Sequence, residues 1–136
     1  MKEVVAGVDI GGTNTCIGFV DSEGVIHAEG RLSTADYAFA DDFVIALDAK
    51  LKEMAAGHPD LRLIGIGIGA PNANFHKGTI ELAPNLRWKG IVPMVKITER
   101  LTGLKTRITN DANAAALGEM IFGAAKGVKD FIILTL

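Results

Sequence analysis

Apolar residues in the first part of the chain come in short runs, each broken by small or charged residues. Residues 4–10 (Val-Val-Ala-Gly-Val-Asp-Ile) read as a buried strand that Gly11-Gly12 interrupts. Residues 15–20 (Thr-Cys-Ile-Gly-Phe-Val) read as a second strand, Asp21-Ser22-Glu23-Gly24 as a turn, and 25–32 as a third strand. Three strands joined by short turns predict an antiparallel meander. The period then changes. Phe39, Phe43, Leu47, Leu51 and Met54 recur at steps of three and four, the spacing of an amphipathic helix. Ser33, Thr34 or Asp36 can cap its start, and Gly57 with Pro59 beyond can end it.

Residues 63–69 (Leu-Ile-Gly-Ile-Gly-Ile-Gly) form the next predicted strand. Its alternating Gly65, Gly67 and Gly69 leave one face bare, open to a helix or a ligand. Residues 70–92 carry Pro71, Pro84 and several Asn, and read as a long loop with a small hairpin at Thr79–Leu82. Met94, Ile97 and Leu101 fit a helix from near Pro93 to Gly103. A strand over 105–109, a helix over 111–122 and a strand over 131–136 complete the pattern. The order β-β-β-α-β-(loop)-α-β-α-β predicts an α/β fold, a mixed sheet with helices on its faces.

Composition narrows the function classes. The chain has 136 residues, the size of one ordinary domain. Its 14 Lys+Arg against 16 Asp+Glu leave a net charge of −2, which argues against a nucleic-acid or anionic-membrane surface. The single Cys16 excludes an internal disulfide and reads as a small buried hydrophobe, with a reactive thiol the lesser reading. The N-terminal apolar run is too short for a signal peptide, and no apolar stretch is long enough to span a membrane, so a cytoplasmic location is expected. His27, His58 and His76 lack metal-ligand spacing and read as solvated, and Asp41-Asp42 as an exposed helix face. The 16 glycines exceed the usual share of about 7%, which points to tight turns or close backbone approach.

Two constellations carry chemistry. In Asp9-Ile10-Gly11-Gly12-Thr13 a carboxylate ends a strand and a Gly-Gly-Thr turn follows. Backbone N–H groups of such a turn can converge on a phosphate, Thr13 adds a hydroxyl, and Asp9 can hold Mg²⁺. A plain hairpin turn explains the same residues equally well. In Asn110-Asp111-Ala112-Asn113 a strand ends and an Ala-rich helix begins. Asp111 can be a helix cap or a general base, and Asn110 can meet a hydroxyl as donor and acceptor. Asn85, Leu86 and Trp88 lie in the long loop, where Asn with an aromatic suits a polyol and a loop turn explains them equally plainly.

Taken together, these segments resemble a known family. The Asp9–Thr13 turn resembles the phosphate-1 motif of the actin/hexokinase/heat-shock-protein ATPase superfamily. Gly67-Ile68-Gly69-Ala70-Pro71, Ala83-Pro84-Asn85-Leu86 with Trp88, and the run from Asn110 to Glu119 are similar to the bacterial ROK family of repressors, uncharacterised reading frames and sugar kinases. Asn14 stands where a Lys is common, and Asn72 where the loop often carries Gly.

The resemblance implies a ribonuclease-H-like lobe over 1–130, with 131–136 opening a second lobe that is missing here. It implies a glucokinase-like transfer of the terminal phosphoryl group of ATP to a hexose hydroxyl, glucose foremost. Asp111 would be the catalytic base, Asn110 and Asn85 would bind the sugar, and Gly11, Gly12 and Thr13 the nucleotide, with Asp9 at Mg²⁺. A structural zinc is expected only in the second lobe. The full-length protein would be a homo-oligomer. The isolated fragment is expected to be inactive and to self-associate through the edge of 131–136. Two other readings stand beside this one: the sugar-sensing domain of a ROK-type repressor, which would need a DNA-binding helix-turn-helix ahead of Met1, and a stand-alone sugar- or phosphate-binding module.

Overall fold

The computed structural model describes residues 1–110 together with Gly118, Ile121 and Phe122. Strands β1 (Lys2–Ile10), β2 (Asn14–Val20) and β3 (Ile26–Ser33) form the expected meander. Helix α1 (Ala40–Ala56) crosses to β4 (Leu61–Gly69), which pairs parallel with β1. Helix α2 (Met94–Thr102) leads to β8 (Lys105–Thr109), parallel with β4. The sheet order is β3-β2-β1-β4-β8. The segment after β4 is more regular than the expected loop with one hairpin. It holds β5 (Ala73–Asn74), β6 (Thr79–Glu81) and β7 (Ile91–Val92) in a small antiparallel sheet. Two-residue strands are too short to leave a period in the sequence.

Alternation along the strands sorts the two faces. Val4, Ala6, Val8 and Ile10 of β1, with Ile17, Phe19, Ile66 and Ile68, face the apolar stripe of α1 (Phe43, Val44, Leu47, Leu51) and Met94 and Ile97 of α2. Each fully buried Ile, Leu or Phe here contributes about 1.5–3 kcal/mol of transfer free energy. Val5 and Val20 lie on the opposite face, packed with Ile121 and Phe122. Gly65 lets Ile121 in: a Cβ at 65 would stand 3.0 Å from the Ile121 Cγ2. The mixed α/β sheet thus carries helical residues on both faces, as the sequence pattern requires. The strand expected over 131–136 and most of the helix over 111–122 lie outside the described residues. Among the described residues no helix is long and apolar enough to cross a membrane.

Helix ends follow local chemistry, with one correction. Gly57 ends α1, and Gly103, at φ 73°, closes α2 in the left-handed conformation that favours glycine. The start of α1 is not capped by Ser33, Thr34 or Asp36. Phe39 occupies the cap position without a side-chain bond. Ser33 Oγ instead accepts the Asp36 N–H at 3.2 Å, and the Thr34 hydroxyl bonds that of Thr15 at 2.7 Å, so these groups build the 33–37 turn. Asp41 and Asp42 in the first turn are exposed and suit the positive end of the helix dipole.

His27 is a second correction, since it is partnered rather than solvated. Its Nε2 lies 2.6 Å from Asp21 Oδ2, while Asp21 Oδ1 accepts the N–H groups of Glu23 (2.9 Å) and Val25 (3.0 Å). The hydrogen bond to His27 is the largest influence holding the Asp21 carboxyl at about 2, helped by the Val25 and Glu23 amides and the Lys2 charge against the opposing effect of burial. A depressed carboxylate stabilises the fold above its unfolded value, near 4, and the contribution fades as pH falls toward 2. Asp21→Asn should therefore lower the melting temperature at pH 7, and the gap to wild type should close by pH 2 in thermal unfolding across that range. A gap independent of pH would place the effect in turn geometry instead.

Candidate functional site

β1, β4 and β8 are adjacent and parallel, so their carboxyl ends lie together, the place where open α/β sheets hold ligands. Asp9 pairs with Gly69, and Gly69 with Thr109, in one register row. The segment after each strand continues from that row: Gly11–Thr13, Ala70 and Asn110. The Ala70 N–H donates to the Thr109 carbonyl at 3.0 Å, which ties two of the three exits together.

Asp9 is half-buried, and burial pushes its carboxyl above the usual carboxylate range. Its lateral partners are Gly69 and Cys16, and Gly7 two residues earlier pairs with Gly18 and Gly67. The face beside the carboxylate therefore presents four adjoining positions without side chains: Gly7, Gly18, Gly67 and Gly69. Cys16 corrects the sequence reading. It is exposed, because Thr15, Ile17 and Phe19 take the core side of β2 and leave residue 16 on the Asp9 face.

The Gly-Gly-Thr turn is held from behind. The Gly11 N–H donates to the Asn14 carbonyl at 3.0 Å, so this amide is engaged inside the turn. The Thr13 carbonyl accepts the N–H groups of Thr34 (2.9 Å) and Ala35 (3.2 Å). Among the described residues the N–H groups of Gly12 and Thr13 make no backbone hydrogen bond, and Thr13 is exposed. Two amides without a backbone partner among the described residues, with a hydroxyl beside a carboxylate, suit a phosphate with a hard cation. No group of three His, Cys, Asp or Glu forms a metal cage among the described residues. Asp9 alone fits a Mg²⁺ ion of the kind that takes one or two carboxylates and completes its shell with phosphate and water.

Asn85 is brought against this turn. A Cβ on Gly12 would stand 2.7 Å from the Asn85 carbonyl oxygen, so only glycine admits the contact. The loop is anchored by buried Leu86 and Trp88. The Trp88 ring lies 5.0 Å from that of Phe43, and its Nε1–H donates to the Tyr37 carbonyl at 3.0 Å. Asn85 itself is exposed. Asn72 occupies φ 57°, and its Nδ2 donates to the carbonyls of Glu81 (3.0 Å) and Leu82 (3.3 Å). Asn tolerates that left-handed conformation better than most residues, which explains how it can stand where Gly is common.

The described residues thus bring Asp9, Gly11, Gly12, Thr13 and Asn85 together, with Asn110 exposed at the same end of the sheet. Asp111 lies outside them. Sequence reading missed Arg87, which donates to the Ala35 carbonyl at 2.9 Å. A bond to a backbone acceptor leaves no mark in residue spacing.

The raised carboxyl of Asp9 has a stability signature. The unfolded chain ionises at lower pH than the folded one, so stability falls as pH rises from the ordinary carboxylate range through the folded value. Asp9→Asn should raise the melting temperature at pH 7 and give no gain at pH 3, where both states are protonated. Calorimetry at the two pH values checks this, and a lower melting temperature at pH 7 would contradict it.

Comparison with known proteins accords with this layout. The model of the ROK family matches residues 5–136. The chain is 37% identical over 131 residues to a glucokinase of Streptomyces coelicolor, covering 96% of this chain and 39% of that protein. It is similar to the crystal structure of a ROK family glucokinase from Streptomyces griseus in complex with glucose and AMPPNP, with a TM-score of 0.69 and 37% identity over 91% of this chain and 38% of that one. A xylose repressor of Caldicellulosiruptor bescii is 44% identical over 75 residues, 54% of this chain and 18% of the repressor. The chain therefore spans about two-fifths of the glucokinases it matches. With the family model covering nearly every residue, and with the mixed sheet and its ordered motifs in place, the chain belongs to the ROK family.

Proposed function

We propose that this chain is the N-terminal lobe of an ATP-dependent hexose kinase, with glucose the first substrate to test. The observation that carries the reading is the meeting of a phosphate-type turn and Asn85 at the carboxyl ends of β1, β4 and β8, close to Asn110. The likeness to glucokinases supports it, above all to the one bound to glucose and AMPPNP. The repressor likeness supports a sugar-sensing alternative. A sensor has no need of a phosphate turn, and Asp9–Thr13 is intact here.

In this reading Gly12 and Thr13 offer their amides, and Thr13 its hydroxyl, to the nucleotide phosphates. Gly11 shapes the turn through its bond to Asn14 and permits close approach. Asp9 is the carboxylate that would hold Mg²⁺. When bound, MgATP supplies the phosphoryl group and the cation that offsets its charge. Asn85 and Asn110 orient the hexose as paired donors and acceptors. Asp111 accepts the proton of the attacking hydroxyl, which leaves the oxygen free to act as nucleophile. A second lobe completes both ligand sites and excludes water on closure, which leaves the 136-residue piece alone inactive. We assign the enzyme to the cytoplasm, where hexose and ATP meet.

A coupled assay of the full-length protein with ATP, Mg²⁺ and a hexose panel tests the activity. Asp111→Asn should lower kcat about 10²- to 10⁴-fold while hexose affinity and melting temperature stay near wild type. Near-normal turnover in that variant would return Asp111 to a helix cap.

A further inference from the structure

The loop that carries Asn85 and the phosphate turn are joined twice. The first join is direct, the Asn85 carbonyl set against Gly12 with no room for a Cβ. The second runs through one residue of the 33–37 turn. The Ala35 N–H donates to the Thr13 carbonyl at 3.2 Å, and the Ala35 carbonyl accepts the Arg87 guanidinium at 2.9 Å. Ala35 thus binds the turn with one side of its backbone and the loop with the other. Leu86 and Trp88, on either side of Arg87, are buried and fix the loop to the core, whereas Arg87 is exposed. A single exposed hydrogen bond adds little to global stability, so its worth lies in placement. Its acceptor is a backbone oxygen held by the phosphate turn itself, a fixed reference for the residue two positions earlier.

We propose that Arg87 is a positioning residue that sets Asn85 against the Gly12–Thr13 turn and so fixes the separation between the bound hexose and the phosphoryl donor. The inference rests on the reading of Asn85 as a hexose ligand. Such placement matters because misplacing a substrate by about 1 Å can cost as much as 10²-fold in rate. The planar guanidinium offers several donors in a fixed fork, and a lysine ammonium reaches the same carbonyl as a less directed donor.

The test uses the full-length protein with ATP and the best-used hexose of the panel. Four variants are compared: Arg87→Ala, Arg87→Lys, Asn85→Ala and the double Arg87→Ala/Asn85→Ala. Arg87→Ala should raise the hexose KM about tenfold and lower kcat by about 10- to 10²-fold, leaving the KM for ATP and the melting temperature unchanged, the pattern of a hexose held less well and misplaced against the phosphoryl donor. Arg87→Lys should recover part of the loss. In the Asn85→Ala background, Arg87→Ala should add less than about twofold, because residues acting through one contact are non-additive. Full additivity, or an unchanged hexose KM in Arg87→Ala where Asn85→Ala raises it, overturns the positioning role and leaves the ligand reading standing. An unchanged hexose KM in Asn85→Ala removes the ligand reading and the positioning role together.

Discussion

Everything at the candidate site depends on the parallel register of β1, β4 and β8. Parallel neighbours end on the same side, and here Asp9, Gly69 and Thr109 share one row. The segments that leave those strands must then turn within a few residues of one another. A slip of one residue in β4 would move Gly69 away from Asp9 and put Ile68 or Ala70 opposite it. The core opposes such a one-residue slip, because it would turn the fully buried Ile66 and Ile68 away from the core face.

Glycine makes the site possible by subtraction. Gly7, Gly18 and Gly67 clear the face next to Asp9, and Gly12 lets two loops meet at backbone distance. A Cβ on Gly12 would fill space that the Asn85 backbone occupies. Asp9 shows the same tension electrically: a half-buried carboxylate whose pKa is raised by burial is unfavourable for the fold when ionised. Rigid backing compensates. Thr15, Thr34, Ala35 and Trp88 hold the turns from behind with ordered hydrogen bonds.

Much of this was legible in the residues. The meander, β4, α2 and β8 follow from periodicity and from Gly and Pro punctuation, within about two residues at their ends, and α1 ends where Gly57 predicts but starts later than its expected caps. The Gly-Gly-Thr turn and the Asn-Leu-x-Trp loop stood out as motifs. Their mutual contact did not, because Gly12 and Asn85 meet through backbone and lie far apart in the chain. Cys16 was misassigned because a strand with both faces occupied does not reveal parity from hydrophobicity alone. The caps of α1 failed for a related reason, since Ser33 and Thr34 had nearer partners in space than the helix N-terminus. His27 found a partner across a hairpin that spacing rules do not cover.

Trp88 is the only tryptophan among the 136 residues. It is buried, its indole N–H is bonded to Tyr37, and it sits three positions from Asn85. An indole in that setting emits as a dry, hydrogen-bonded fluorophore, and it shifts when its loop moves into water. The chain thus contains its own optical gauge of the loop, placed where sugar and phosphate chemistry are expected to meet.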